Sequence, residues 1–308
     1  MLFDHPPVKI VEQLWMFGTA AYPLYLVKDG PEAAIFEGGT GAMGRLLREQ
    51  LAELGLDRNV EVRQIVLTHA HPDHVMAVPS LRRMFPQAAV VASAVAARTL
   101  AAEKAVAFFC QIDQALTGSL LRSGAIRDVH QVEPLAEKQI SVDRTVAQGE
   151  TIAVGALAFS VLETPGHSEC SLSFYEPKQR MLIISDATGY YMPDADSWWP
   201  NYFFDYRAYL DSMKRLAELD ADVLCLSHNC VICGEEHIKR YFRRAIAATE
   251  KYHERIVAES RSGRPPRELA EELGAEIHAK TQLLPLDFFQ KNCALLVKQS
   301  LRHEGIGS

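Results

Sequence analysis

The sequence predicts an α/β fold, and three observations carry that reading. Short apolar runs of strand length alternate with segments whose apolar residues recur at helical spacing. Hydrophobic residues make up 48% of the 308-residue chain, enough to bury a large core. Its densest histidine cluster falls where an apolar run gives way to a helical one, which is where α/β sheets tend to place their chemistry.

Taken in order, Val11 to Phe17, Tyr22 to Val27 and Ala33 to Glu37 read as strands, with Lys28-Asp29-Gly30 as the hairpin signal between the last two. Gly38-Gly39-Thr40-Gly41 breaks the sheet. From Ala42 to Leu54 the residues Met43, Leu46, Leu47, Leu51 and Leu54 keep helical spacing, and Gly55 is placed to end the helix. A buried strand at Gln64 to Leu67 leads into Thr68-His69-Ala70-His71-Pro72-Asp73-His74, followed by a helix from Val75 to Met84. Ala88 to Ala92 is a strand, and Ser93 to Leu121 is helical with an interruption near Ala105 or Gly118. Val142 to Thr164, Ser171 to Tyr175 and Met181 to Ile184 return to β character. After an aromatic-rich loop come a helix from Tyr206 to Leu219 and a strand from Val223 to Leu226. From Glu235 onward the pattern is helical, broken by Ser262-Gly263-Arg264-Pro265-Pro266 and by Leu284-Pro285.

Composition narrows the function. With 32 Lys+Arg against 39 Asp+Glu, the net charge of -7 gives no global attraction for polyanions. No run reaches the roughly 18 apolar residues of a membrane span, and the start lacks a basic and apolar leader pattern, so a cytoplasmic protein is expected. Six cysteines are too sparse to staple a fold of this size. Cys230-Val-Ile-Cys233 has the spacing of redox and zinc sites but no second pair near it in sequence.

Three of the 11 histidines fall in His69-x-His71-x-Asp73-His74. Alternate residues of an extended loop can aim two imidazoles at one ion, leaving Asp73 and His74 for a second. His167, Asp186 and His228 each lie just beyond an apolar strand, and together with the first cluster they complete a ligand set.

This ordered series resembles the metallo-β-lactamase superfamily, in the dinuclear hydrolase branch that includes glyoxalase II, lactonases and thioesterase-like proteins of quinolone signalling. The resemblance spans roughly residues 10 to 235. It implies an αββα sandwich of two mixed β-sheets with outer helices, formed by residues 1–235, and leaves 236–308 as a helical extension packed on that core and capping the site. It further implies two divalent metal ions, zinc first, with iron or manganese as alternatives. His69, His71 and His167 would hold one ion, Asp73, His74 and His228 the other, and Asp186 would bridge. The last ligand follows Ser227 where the family usually has glycine, and Val75-Met76-Ala77 stands where small glycines are common, which argues against glyoxalase II itself.

Two such cations lower the pKa of a shared water and polarise a carbonyl. Asp73 would orient that nucleophile, and Tyr190 or Tyr191 would donate a hydrogen bond to the oxyanion or leaving group. A lactonase-type tyrosine would sit one residue earlier, at Gly189.

Of 26 aromatic residues, nine lie in 189–209, which predicts an apolar pocket wall made by Trp198, Trp199, Phe203 and Phe204. Core packing or a homodimer contact are the alternatives. Leu283, Leu284, Leu286, Phe288 and Phe289 are placed to close over the entrance. Between Lys239 and Arg267, nine basic residues face three acidic ones, a surface suited either to plain solvation or to phosphate groups such as those of coenzyme A. The expected activity is therefore hydrolysis of an ester, thioester or lactone with an apolar or aromatic acyl group, coenzyme A thioesters included. A phosphodiesterase or ribonuclease on the same metals, and a signalling protein that keeps the site but acts through a partner, stand as alternatives; nucleic acid and membrane partners are not expected.

Overall fold

A computed structural model describes residues 1–57, 60–131, 135, 137–281 and 284–306. Two seven-stranded mixed sheets face each other. The first runs β2 (Val8–Val11), β3 (Leu14–Gly18), β4 (Pro23–Asp29), β5 (Glu32–Phe36), β6 (Glu61–Val66), β7 (Ala89–Ala92) and β8 (Arg144–Thr145) in spatial order. Its early strands pair antiparallel, and β5 to β8 pair parallel. The second has the order β1 (Leu2–Phe3), β16 (Val231–Cys233), β15 (Val223–Cys225), β12 (Met181–Ile183), β11 (Leu172–Glu176), β10 (Leu157–Glu163) and β9 (Thr151–Val154). Only β12 and β15 pair parallel within it.

The strand period of two divides the core. Tyr25 and Val27 of β4 and Phe36 of β5 point between the sheets, where Phe36 meets Phe159 at 5.0 Å and Phe174 at 5.2 Å. Leu24, Leu26 and Ile35, one residue out of phase, face the helices instead. On that side lie α1 (Met43–Glu53), α2 (Pro72–Val75), α3 (Val78–Met84), α4 (Ala94–Leu100) and α5 (Glu103–Arg122). The other sheet is covered by α6 (Tyr206–Ala217) and α7 (Glu235–Arg261), and the rest of the helical tail, α8 (Pro266–Thr281) and α9 (Leu286–His303), packs outside these two helices.

Several elements depart from expectation. The first strand is two strands joined by a tight turn at Glu12-Gln13, which carries no glycine or asparagine to announce it. The helix expected from Val75 begins at Pro72 and breaks at Met76-Ala77. There Gly38 and Gly39 carbonyls capture the Ala77 N–H at 3.0 and 3.2 Å, and Pro79 starts a fresh turn. The long helical stretch breaks at Ala101-Ala102, not at Ala105 or Gly118. Part of the aromatic-rich loop is a hairpin, β13 (Tyr190–Met192) with β14 (Ser197–Trp199). Val231–Cys233, inside the C-x-x-C spacing, is a strand; Cys230 and Cys233 fall on opposite faces of it, and both are free thiols.

Candidate metal centre

The seven ligand candidates come from four loops that leave the strands at one edge of the sandwich. His69 to His74 follow β6, His167 follows β10, Asp186 follows β12, and His228 follows β15. The two sheets are tied together at this edge: Leu172 N–H donates to the Thr68 carbonyl at 2.8 Å, and the buried Tyr25 hydroxyl donates to the Leu226 carbonyl at 2.5 Å. Two close approaches shape the loops. A β-carbon at Gly38 would stand 2.4 Å from the His74 carbonyl oxygen. One at Gly166, whose φ is +126°, would strike the Tyr209 backbone at 2.2 Å.

Three nitrogens converge first. His71 Nδ1 lies 3.1 Å from His69 Nε2 and 2.9 Å from His167 Nε2. The second group is Asp73, His74 and His228, with Asp73 Oδ2 at 3.4 Å from His74 Nε2 and 3.7 Å from His228 Nε2. Asp186 stands between them. Its Oδ2 is 3.3 Å from His167 Nε2, and its Oδ1 is 3.3 Å from His228 Nε2 and 3.8 Å from His74 Nε2.

The outer nitrogens decide what the inner ones can be. His167 Nδ1 is 2.8 Å from the Asn201 carbonyl and His228 Nδ1 is 2.6 Å from the Ala21 carbonyl, so both must donate. Glu37 accepts from the Thr68 hydroxyl at 2.8 Å and pairs with His74 Nδ1 at 2.9 Å. With its proton spent on Glu37, Thr68 Oγ1 accepts from His69 Nδ1 at 3.1 Å. When those imidazoles are neutral, four Nε2 lone pairs, together with His71 Nδ1, point at one another across a buried space. Such an arrangement repels itself unless cations lie between the donors.

The donor set therefore fits a pair of divalent ions, and two of its own atoms point the same way. His74 Nε2 and Asp186 Oδ1 are buried without any hydrogen-bond partner. Burial, and then the neighbouring His167, pushes His71 down to about 3; burial lowers His69 and His167 as well, which leaves the first set neutral and free to offer lone pairs. In the second set burial is outweighed by charge. Asp73 and Glu37 raise His74, Asp186 raises His228, and the facing imidazoles hold Asp73 and Asp186 well below the usual carboxylate range.

Glu37 is a site residue that the ligand-type pattern of the sequence does not single out. It is buried with φ of +77°, a backbone that glutamate keeps only where its surroundings enforce it, and it steers one imidazole of each set. The available signal was an acidic residue ending a buried strand directly before Gly38-Gly39.

The aromatic residues separate. Tyr190 packs 5.2 Å from the His228 ring, and its hydroxyl donates to Asn229 Oδ1 at 3.3 Å; burial pushes that hydroxyl up to about 12, so it stays protonated. Tyr191, next along β13, faces the other way. Its hydroxyl donates to Asp196 at 3.1 Å and its ring packs on Trp198 and Tyr241, away from the ligand candidates. Trp198 shares that side, with Arg244 over its ring at 5.6 Å. Phe203 lies 5.3 Å from His167, with Trp199 behind it and Phe289 of α9 behind Trp199 at 5.3 Å. Phe288 packs on Phe289, and Phe204 is exposed. Leu283 lies outside the described residues.

The basic run of the tail is largely spent on ion pairs. Arg255 meets Glu259, Glu272 and Glu276, Arg264 meets Glu259 and Glu272, Arg261 meets Glu304, and Arg244 meets Asp196. None of the helices among the described residues is long and apolar enough to cross a membrane.

Known proteins agree with this architecture. The hydroxyacylglutathione hydrolase of Legionella pneumophila (strain Lens) is 26% identical over 125 residues, 41% of this chain and 33% of its own, so the match spans about a third of that relative. The linear primary-alkylsulfatase of Pseudomonas sp. is 24% identical over 266 residues, 81% of this chain and 49% of its own. A solved metallo-beta-lactamase from Cronobacter sakazakii superposes with a TM-score of 0.57 at 18% identity, covering 83% of this chain and 98% of that one, which speaks for the fold. The profile of the metallo-beta-lactamase superfamily matches residues 23–228, two thirds of the sequence, and on the sandwich and the ligand loops together the chain belongs to that superfamily of metal-dependent hydrolases.

Proposed function

We propose that this chain is a dinuclear hydrolase of carboxylic esters, thioesters or lactones with an apolar or aromatic acyl group. The observation that carries the reading is Asp186, whose two oxygens face separate donor sets. Two divalent ions bound there, zinc first and iron or manganese as alternatives, would supply a hydroxide at neutral pH and charge stabilisation for an anionic intermediate.

The chain's own residues supply the rest. Asp73 is one of the less buried members of the cluster, with a quarter of its side chain exposed, and directs one oxygen at His74 and His228. Its other oxygen is available to accept a hydrogen bond from the attacking water and orient it. Tyr190, protonated across the working pH range, can donate to the oxyanion or the leaving group. Phe203 beside His167, backed by Trp199 and Phe289, forms an apolar wall on the side of the first set. That wall favours an acyl chain or ring over a small polar group. The Legionella relative is named for a hydroxyacylglutathione, an acyl derivative with a more polar acyl group, so acyl derivatives of glutathione and of coenzyme A belong in the same screen. A sulfate ester of an alkyl chain is the second reading, favoured by the alkylsulfatase match that runs along 81% of this chain.

The test is a hydrolysis screen of the metal-replete protein against matched aromatic and short-chain thioesters, lactones, a phosphodiester and an alkyl sulfate. Faster turnover of an aromatic or long acyl ester, thioester or lactone supports the reading. Turnover confined to the phosphodiester or the sulfate replaces it.

A further inference from the structure

A second cluster of ligand-type side chains lies away from the ligand edge, between α7 and the end of α9. His253, His303 and Glu304 each bring one nitrogen or oxygen within 4.8 Å of the others, close enough to share one ion. The two imidazole centroids are 5.5 Å apart, against 5.1 Å for His74 and His228.

His253 is buried, and among the described residues its Nδ1 has no hydrogen-bond partner, while its Nε2 faces Glu304 Oε1 in an ion-pair contact at 3.6 Å. Among the described residues, His74 Nε2 at the metal centre is the other histidine nitrogen buried without a partner. The ring is nonetheless held firmly. Tyr206 stacks flat on it at 3.9 Å and meets His303 edge-on at 5.0 Å. Arg261 takes the other Glu304 oxygen, Oε2, at 2.8 Å, which leaves Oε1 facing His253. His303 and Glu304 reach solvent and can turn to close the remaining distance around an ion.

We propose that His253, His303 and Glu304 form a third metal site, separate from the two donor sets, that takes one divalent cation of the zinc class with water completing the shell. Two imidazoles and a carboxylate are a zinc-type donor set. Bound there, the ion clamps the end of α9 to α7. The clamp lies on the helix that holds the aromatic wall in place, since Ser300 meets the Tyr202 hydroxyl at 2.9 Å and Gln299 donates to the Phe203 carbonyl at 3.0 Å.

The experiment compares the full chain with His303→Ala and with Glu304→Gln, both exposed changes that leave the core untouched. Each protein is saturated with zinc chloride, desalted, and analysed by elemental mass spectrometry, and each is melted with and without 100-fold excess zinc over the dissociation constant measured for the unaltered chain. The unaltered chain is expected to keep one more equivalent than either variant, and added zinc to raise its midpoint by roughly 3 °C more. Equal metal content in all three proteins, with equal thermal response, overturns the proposal. The readout is a difference between proteins that share one ligand edge, so a failure of the dinuclear reading changes every total and leaves that difference intact.

Discussion

The ligand edge and the C-terminal helices use the same charged residue types and are held by opposite means. At the edge the charges are buried, and four of the five imidazoles spend the outer nitrogen on a named acceptor: His69 on Thr68, His74 on Glu37, His167 on Asn201 and His228 on Ala21. In the tail the charges reach water, and Arg255 divides itself among three glutamates with a third of its side chain exposed. Leaving a buried polar group unpaired costs about 1–3 kcal/mol, whereas a surface ion pair contributes about 1 kcal/mol or less. Single atoms should therefore matter at the edge and hardly at all in the tail.

The comparison breaks most visibly at Asp186. Asp186→Ala is expected to reduce hydrolysis to background and to remove at least one metal equivalent while the far-ultraviolet dichroism stays unchanged; retained activity would dismantle the dinuclear arrangement. Glu37→Gln comes next. Its amide must present an N–H to either Thr68 or His74, and metal affinity should fall about 10- to 100-fold in a chelator competition. Unaltered affinity would mean that Glu37 only packs.

The neighbouring tyrosines sharpen the contrast within one strand. Tyr190→Phe should lower kcat by about 100-fold with little change in KM, while Tyr191→Phe leaves both near their original values. Equal losses would assign the effect to packing of the hairpin.

Asp113 tests what burial does to a carboxylate outside the ligand set. It accepts the Gly41 N–H at 2.7 Å, and burial pushes it up to about 6. The folded chain thus holds a proton that the unfolded chain releases near pH 4. This contribution to stability is complete below pH 4 and is lost as the pH rises through 6, so the ionised group costs about 3 kcal/mol at neutral pH. Asp113→Asn should raise stability at pH 7.5 and have little effect at pH 4 in denaturant titrations; a gain independent of pH would refute the assignment. The smallest change is expected for Arg255→Met, about 1 kcal/mol or less, and a loss of several would mean that the tail is held by its ion pairs after all.

The chemistry was legible in the chain because the ligand types are rare and sit at fixed places. Each of His69, His167, Asp186 and His228 follows an apolar run closely, and a strand that ends at a sheet edge leaves its next polar residue at that edge. The alternation of strand and helix was legible for the same reason, since periods of 2 and 3.6 are written in local apolar spacing. Turns without glycine, such as Glu12-Gln13, were not, and the break at Met76-Ala77 depends on carbonyls of Gly38 and Gly39 that arrive from another loop.

Residue identity and order by themselves determined the fold class and the seven ligand candidates, because both depend on local pattern. Only the tertiary structure decided that His71 turns Nδ1 inward while the other four imidazoles turn Nε2, that Glu37 steers a ligand of each set, and that Tyr190 faces the centre while Tyr191 turns to Asp196. It also decided that the basic run of the tail is spent on glutamates. The physical reason is common to all of these: they are set by hydrogen-bond partners and charges from segments distant in the chain, which local pattern does not encode.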